Sequence, residues 1–122
     1  VCTSGYQGNA EALLQRLEAE LISWYSAVPT MHQGLLDCAE AAAHEGRRIQ
    51  VQHLQLIRNC SAALAPAMAK RMVAAFSCTV LPTYAMTECM PISTNPLLPR
   101  YQSFRSVGTC AGPSMRLVVD DE

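Results

Sequence analysis

The chain has 122 residues, half of them hydrophobic, and a formal net charge of −1. This length predicts a single domain spanning residues 1–122, and so high an apolar fraction excludes a disordered chain. Nine lysine and arginine residues against ten aspartate and glutamate residues leave no positive field that would attract nucleic acid or an anionic membrane.

The chain opens with a lead-in, residues 1–8, made mostly of small and polar residues. Asn9 is a good N-cap, and we predict a first helix over residues 9–28. Apolar residues recur there at the three- and four-residue steps typical of an amphipathic helix, at Leu13, Leu14, Leu17, Leu21, Trp24, Tyr25 and Val28. On this interpretation both Trp24 and Tyr25 belong to the core.

Three further helices are predicted over residues 30–45, 47–64 and 66–78. Gly46 is suited to end one helix, and Pro66 is suited to the first turn of another. Connections this short favour antiparallel neighbours. The predicted fold class is therefore all-α, a compact disulfide-stapled bundle of about four helices within residues 9–78.

The remaining segment, residues 79–122, is predicted to be an irregular tail because it holds most of the prolines. Between Thr79 and Pro99 only Glu88 is charged, and so apolar a segment must pack on its own bundle or on a partner. Both placements remain open at this point. The residues expected to contact a partner are Ile92, Leu97, Leu98, Tyr101 and Phe104.

Six cysteines in so short a chain predict three disulfides. They are Cys2, Cys38, Cys60, Cys78, Cys89 and Cys110. No two of them are close enough in sequence for the ligand pairs of a structural zinc site. Helix register places Cys38, Cys60 and Cys78 at mismatched depths in the bundle, so each is expected to pair with a cysteine outside it.

The sequence contains no nucleophile elbow, zinc-protease motif, Walker loop or dinucleotide-binding glycine motif. His32 and His53 fall near apolar stripes and are interpreted as residues at the edge of the core. His44 lies near Glu40 and Glu45, but such ligands on one exposed helix are more simply solvated than metal-bound. We therefore predict no catalytic residue, no metal and no cofactor, and a protein that is not an enzyme.

The first functional prediction is a secreted, non-enzymatic protein-binding module stabilised by three disulfides. The chain starts at Val1, so we expect a processed product whose signal peptide has been removed. The alternative is a structural accessory subunit of a larger assembly in an oxidising space, such as the mitochondrial intermembrane space or a lumen. A third candidate is a carrier of an apolar ligand. The expected partner is another protein, and no stretch is long enough to span a membrane.

Overall fold

The computed structural model describes residues 9–98, 102–116 and 118, and it contains a mixed five-stranded sheet and three helices. The strands are β1 (Trp24–Ala27), β2 (Leu56–Asn59), β3 (Thr79–Met86), β4 (Cys89–Thr94) and β5 (Thr109–Cys110). The helices are α1 (Ala10–Ala19), α2 (Pro29–His44) and α3 (Pro66–Phe76). The all-α prediction is therefore wrong, because the fold is α/β.

The strands lie in the order β1-β2-β3-β4-β5. The first three are parallel, and α2 and α3 connect them as β1–α2–β2–α3–β3. The last two strands are antiparallel to their neighbours. Two parallel strands that are neighbours in a sheet need a crossover connection, and such crossovers are almost always right-handed. Because β1, β2 and β3 follow one another in the same direction across the sheet, right-handed crossovers place α2 and α3 on the same face.

The core lies between the helices and the parallel strands. Its largest fully buried apolar side chains come from all three helices and from two strands, and are Leu14, Leu17, Leu35, Leu36, Ile57, Met72 and Val80. Phe104, far along the chain, packs against the same cluster. Removal of this apolar surface from water holds the helices on the sheet and gives the strand ends fixed positions.

The first predicted helix is correct only at its start. Asn9 caps α1, and its side-chain oxygen accepts a hydrogen bond from the backbone N–H of Ala12 at 2.9 Å. The helix ends at Ala19, and Trp24 and Tyr25 belong instead to β1, since aromatic side chains are favoured in strands. Tyr25 packs against the core as predicted, whereas Trp24 is 56% exposed.

The helix predicted over residues 47–64 is wrong, because β2 lies inside this range. Burial alternates along the strand: Ile57 and Asn59 are buried, whereas Leu56 and Arg58 are partly exposed. This period of two is that of a strand. The apolar positions of a four-residue strand can also fit helical spacing. Over the longer range 47–64 the apolar spacing therefore favoured a helix, which was wrong.

The tail predicted to be irregular contains β3, β4 and β5. Pro82 lies within β3, where a proline would normally argue against a strand. Its pairing with Asn59 is the last in the β2–β3 register, so its missing N–H falls at the end of that ladder. On the other side its carbonyl oxygen accepts a hydrogen bond from the backbone N–H of Asn95 at 3.3 Å. The proline is therefore compatible with the sheet.

The predicted disulfide-stapled chain is also wrong. Free thiols are found at Cys38, Cys60, Cys78, Cys89 and Cys110, while Cys2 lies outside the described residues. Burial raises the pKa of the Cys78 thiol to about 11, which keeps it protonated and unreactive. Apolar packing, not cross-linking, holds the described residues together. The inference of an oxidising compartment loses its basis, and the location of the protein stays a prediction.

Candidate functional site

The carboxyl ends of the three parallel strands meet at one edge of the sheet. Ala27, Asn59 and Pro82 are aligned there, since Ala27 pairs with Asn59 and Asn59 pairs with Pro82. In open sheets of this kind, ligands bind outside the carboxyl ends of the strands, where the connecting loops leave a crevice. The residues that follow β2 and those of β3 beyond Pro82 are therefore the first place to look for a site.

The loop between β2 and α3, residues 60–65, is built largely of small residues. Ser61 has a φ of 66°, a left-handed conformation that turns the chain sharply. The side-chain amide of Asn59 donates to the carbonyl oxygen of Ala62 at 2.7 Å, which folds the loop back on the strand. The hydroxyl of Thr83 donates to the carbonyl oxygen of Asn59 at 2.7 Å and joins the loop to β3. The loop is thus fixed while presenting little side-chain bulk.

A cleft of about 330 Å³ lies between this loop and β3. It is lined by Asn59, Ser61, Ala62, Ala63, Leu64, Pro82, Thr83, Tyr84, Ala85 and Val107. One wall is the loop of small residues, another is the end of β3, and a third is Val107 from the C-terminal part of the chain. Clefts of this size, apolar with a few fixed polar groups, are typical of small-ligand sites.

Among the described residues that line the cleft, Tyr84 is the only aromatic one, and it is 45% exposed. Its hydroxyl approaches the sulfur of Met86, at 3.7 Å. An exposed aromatic residue in a cleft that is otherwise lined largely by small residues leaves room for a flat ring to stack on it. Stacking of this kind recognises nucleobases, because every base has a planar π-face. The cleft is therefore suited to a nucleotide.

His32 lies in the first turn of α2, close in sequence to the end of β1. The side chain is fully buried, with Nδ1 3.2 Å from the phenol oxygen of Tyr25, while Nε2 has no hydrogen-bond partner among the described residues. Burial lowers the pKa of His32 to about 4. The imidazole is therefore neutral and lies inside the core rather than at its edge.

The titration of His32 makes stability depend on pH. In the unfolded chain its pKa is close to 6.5, whereas the folded imidazole stays neutral down to about pH 4. Between these values the unfolded state binds more protons, so the free energy of unfolding should fall as the pH is lowered through this interval. Urea denaturation at several pH values measures the effect. His32→Leu should reduce the dependence, and an unchanged dependence would contradict the assignment to His32.

A wider groove of about 770 Å³ lies on another part of the surface, between the later turns of α2 and α3. Two of its arginines already have partners: Arg47 contacts Glu18 at 2.8 Å, and Arg71 contacts Glu40 at 2.6 Å. Among the described residues that line this groove, none has a buried polar side-chain atom without a hydrogen-bond partner. We therefore place the functional site in the smaller cleft at the strand ends.

The residues predicted to bind a partner do not line the cleft. Ile92 is buried in β4, Leu97 and Leu98 are exposed, and Phe104 packs against the core. Tyr101 lies outside the described residues. A protein partner stays a prediction. Within the described ranges, no group of three His, Cys, Asp or Glu side chains could hold a metal, and no helix is long and apolar enough to cross a membrane.

The lining of the cleft was missed by sequence reasoning. The sequence predicted no role in a site for Asn59 or Tyr84. One local signal was available: a run of small residues, Ser61–Ala65, directly before a proline that begins a helix. The contribution of Val107 had no such signal, because it depends on contacts between residues far apart in sequence.

Residues 1–122 match the family described as AMP-binding enzyme. Among curated proteins, the chain is 39% identical over 98 residues to an oxalate–CoA ligase of Arabidopsis thaliana. It is 31% identical over 101 residues to an oxalate–CoA ligase of Saccharomyces cerevisiae. The two alignments cover 79% and 82% of this chain but 18% and 17% of those ligases. The chain thus spans less than a fifth of the length of these relatives.

Solved structures share the fold. The anthranilate CoA ligase AuaEII in complex with anthranoyl-AMP gives a TM-score of 0.79 at 19% identity, over 97% of this chain and 22% of that one. A benzoate CoA ligase from Burkholderia xenovorans LB400 gives a TM-score of 0.68 at 19% identity, over 84% and 20% of the two chains. At these identities the likeness concerns the fold alone.

The family match contradicts the predicted non-enzymatic binding module and its alternatives, an accessory subunit and an apolar-ligand carrier. That prediction depended on disulfides and on the absence of familiar catalytic motifs. The cysteines described are free thiols, and a family of enzymes matches over the entire chain. The prediction that the protein is not an enzyme is therefore wrong.

Proposed function

Since the chain belongs to the AMP-binding enzyme family, we propose that it is the nucleotide-binding part of an acid–CoA ligase. The observation that carries the proposal is the cleft at the carboxyl ends of β2 and β3, which is lined by the exposed residue Tyr84 and by a loop of small residues. The adenine of ATP or AMP would stack on Tyr84, with Ala62 and Ala63 leaving room for the base.

The proposed reaction has two steps. An oxygen of the acid's carboxylate attacks the α-phosphorus of ATP. The bond between this phosphorus and the oxygen that bridges to the β-phosphate breaks, so pyrophosphate departs and acyl-AMP is formed. The sulfur of CoA then attacks the acyl carbon, the C–O bond to the phosphate breaks, and AMP leaves as the thiol proton passes to a base. AMP is retained through both steps, so one adenine cleft serves both. The anthranoyl-AMP bound to a ligase of the same fold supports this order.

We propose oxalate as the acid. Two of the curated relatives, from a plant and a yeast, are oxalate–CoA ligases, and each aligns with about four-fifths of this chain. The cleft described here would bind the nucleotide, so the groups that recognise the acid need not lie in it. The choice of acid therefore rests on these relatives alone.

The test uses the product of the intact gene at full length, incubated with ATP, CoA and oxalate. We expect equal amounts of AMP, pyrophosphate and oxalyl-CoA, measured by chromatography and mass spectrometry. Without CoA, one pyrophosphate should be released per active site as acyl-AMP accumulates. Formation of ADP and phosphate would contradict the adenylation step. Activity with malonate or benzoate but not with oxalate would contradict only the choice of acid.

A further inference from the structure

One buried side chain, Asn95, anchors the segment of residues 102–108 to the sheet. It lies just after β4 and is 2% exposed. Its Oδ1 accepts a hydrogen bond from the backbone N–H of Ser103 at 2.9 Å. Its Nδ2 donates to the carbonyl oxygen of Ser106 at 2.7 Å and to that of Pro82 at 3.5 Å. A single amide therefore connects the segment to β3 at Pro82.

A close backbone approach fixes the other end of this segment. Gly108 has a φ of +89°, and a Cβ at this position would overlap the backbone of Thr94 and Asn95. Its N–H donates to the hydroxyl of Ser106 at 3.0 Å, and the next residue, Thr109, pairs with Thr94 in the β4–β5 ladder. The backbone is thus held immediately before and after Val107.

We propose that Asn95 is a positioning residue for the nucleotide, an inference that rests on the proposed function. Asn95 does not line the cleft, but it holds two residues that do, Pro82 by a direct hydrogen bond and Val107 through Ser106. It thereby sets the distance between Val107 and Tyr84, and so the width of the cleft available to the base.

The backbone on either side of Val107 is restrained, since Ser106 accepts a hydrogen bond from Asn95 and Thr109 pairs with Thr94, while Val107 itself is 41% exposed. Without the hydrogen bonds of Asn95, Val107 would be held only from its C-terminal side, by Gly108 and Thr109, and its wall would be less firmly fixed against β3. The base would lose an apolar contact with Val107. The reacting phosphate and carboxylate would keep their own contacts with the protein. We therefore expect weaker nucleotide binding with little change in the turnover of nucleotide already bound.

The experiment compares wild type, Asn95→Asp and Asn95→Ala in the full-length protein. Aspartate has nearly the same shape and keeps the acceptor for Ser103, but it lacks the donor for Ser106 and Pro82. We expect Asn95→Asp to raise the KM for ATP about tenfold, with kcat per active site changed by less than about twofold. Active sites are counted from the pyrophosphate released without CoA, so that partial unfolding does not affect kcat.

Ser93→Ala is the matched control. Ser93 lies in the same strand, is fully buried, and its hydroxyl has no hydrogen-bond partner among the described residues. The KM of the Ser93→Ala variant for ATP should equal that of wild type. If Asn95→Asp and Asn95→Ala reduced only the number of active sites and left KM unchanged, the role of Asn95 would be structural and the inference overturned. Wild type that forms no AMP would overturn the proposed function itself, before any variant is compared.

Discussion

Replacing Tyr84 with alanine should raise the KM of the full-length protein for ATP by about thirtyfold. Stacking of a base on an aromatic side chain is worth about 1–3 kcal/mol, and Tyr84 is the only aromatic residue among those described as lining the cleft. No second ring of that lining could replace it. Steady-state kinetics with varied ATP, at saturating acid and CoA, measure the change.

Tyr84→Phe is the control that separates the ring from its hydroxyl. The hydroxyl contacts only the sulfur of Met86 among the described residues, so its removal should change the KM for ATP by less than about twofold. Tyr84 is also 45% exposed, so neither variant should lower the thermal midpoint greatly. If phenylalanine were as harmful as alanine, stacking would be contradicted and the hydroxyl would be the group that matters.

The helices that connect the parallel strands could be predicted almost to the residue. Pro66 begins α3 as predicted, and Gly46, with a φ of +77°, follows the end of α2. Pro29 separates the first two predicted helices, and it is itself the first residue of α2. These signals are local, because proline tolerates only the first turn and glycine alone adopts a left-handed conformation without strain. Local proline and glycine signals therefore identified the two helices correctly, even though the predicted all-α fold class was wrong.

The strands could not be predicted in the same way, because each depends on its neighbours. β1 and β2 have four residues each, too few for a period of two to stand out. Their burial comes from helices and strands elsewhere in the chain. Six cysteines then favoured a secreted bundle, although a count of cysteines does not distinguish buried free thiols from disulfides. The cysteine count thus favoured an all-α fold, although the apolar spacing of the short segments was compatible with either helices or strands.

The candidate site shows the same limit at the scale of single residues. The loop of small residues after β2 can be found in the sequence, and so can an aromatic residue near the end of an apolar run. The sequence does not reveal that this loop and this aromatic residue lie in one cleft, because that depends on the alignment of Asn59 with Pro82 in parallel strands. The third wall is harder still to predict, since Val107 is held at the cleft by the hydrogen bonds of Asn95 and by the pairing of Thr109 with Thr94, both of which join residues far apart in sequence.

The close approach of Gly108 to β4 leads to the second large effect. We expect Gly108→Ala to lower the free energy of unfolding by about 3 kcal/mol or more, because a Cβ there would overlap the carbonyl of Thr94. Thr94 pairs with the residue that follows Gly108, so relief of the overlap must separate β5 from β4. Urea denaturation of the full-length protein measures the loss.

Gly46→Ala is the control that separates overlap from backbone strain. Gly46 also has a positive φ, +77° against +89°, but a Cβ at this position would meet no atom within 4 Å. Its replacement should cost only the strain of the left-handed conformation, about 1 kcal/mol. Equal losses in the two variants would contradict the close approach. A larger loss for Gly108→Ala, joined to a raised KM for ATP in the folded fraction, would link the contact at Thr94 to the Val107 wall of the nucleotide cleft.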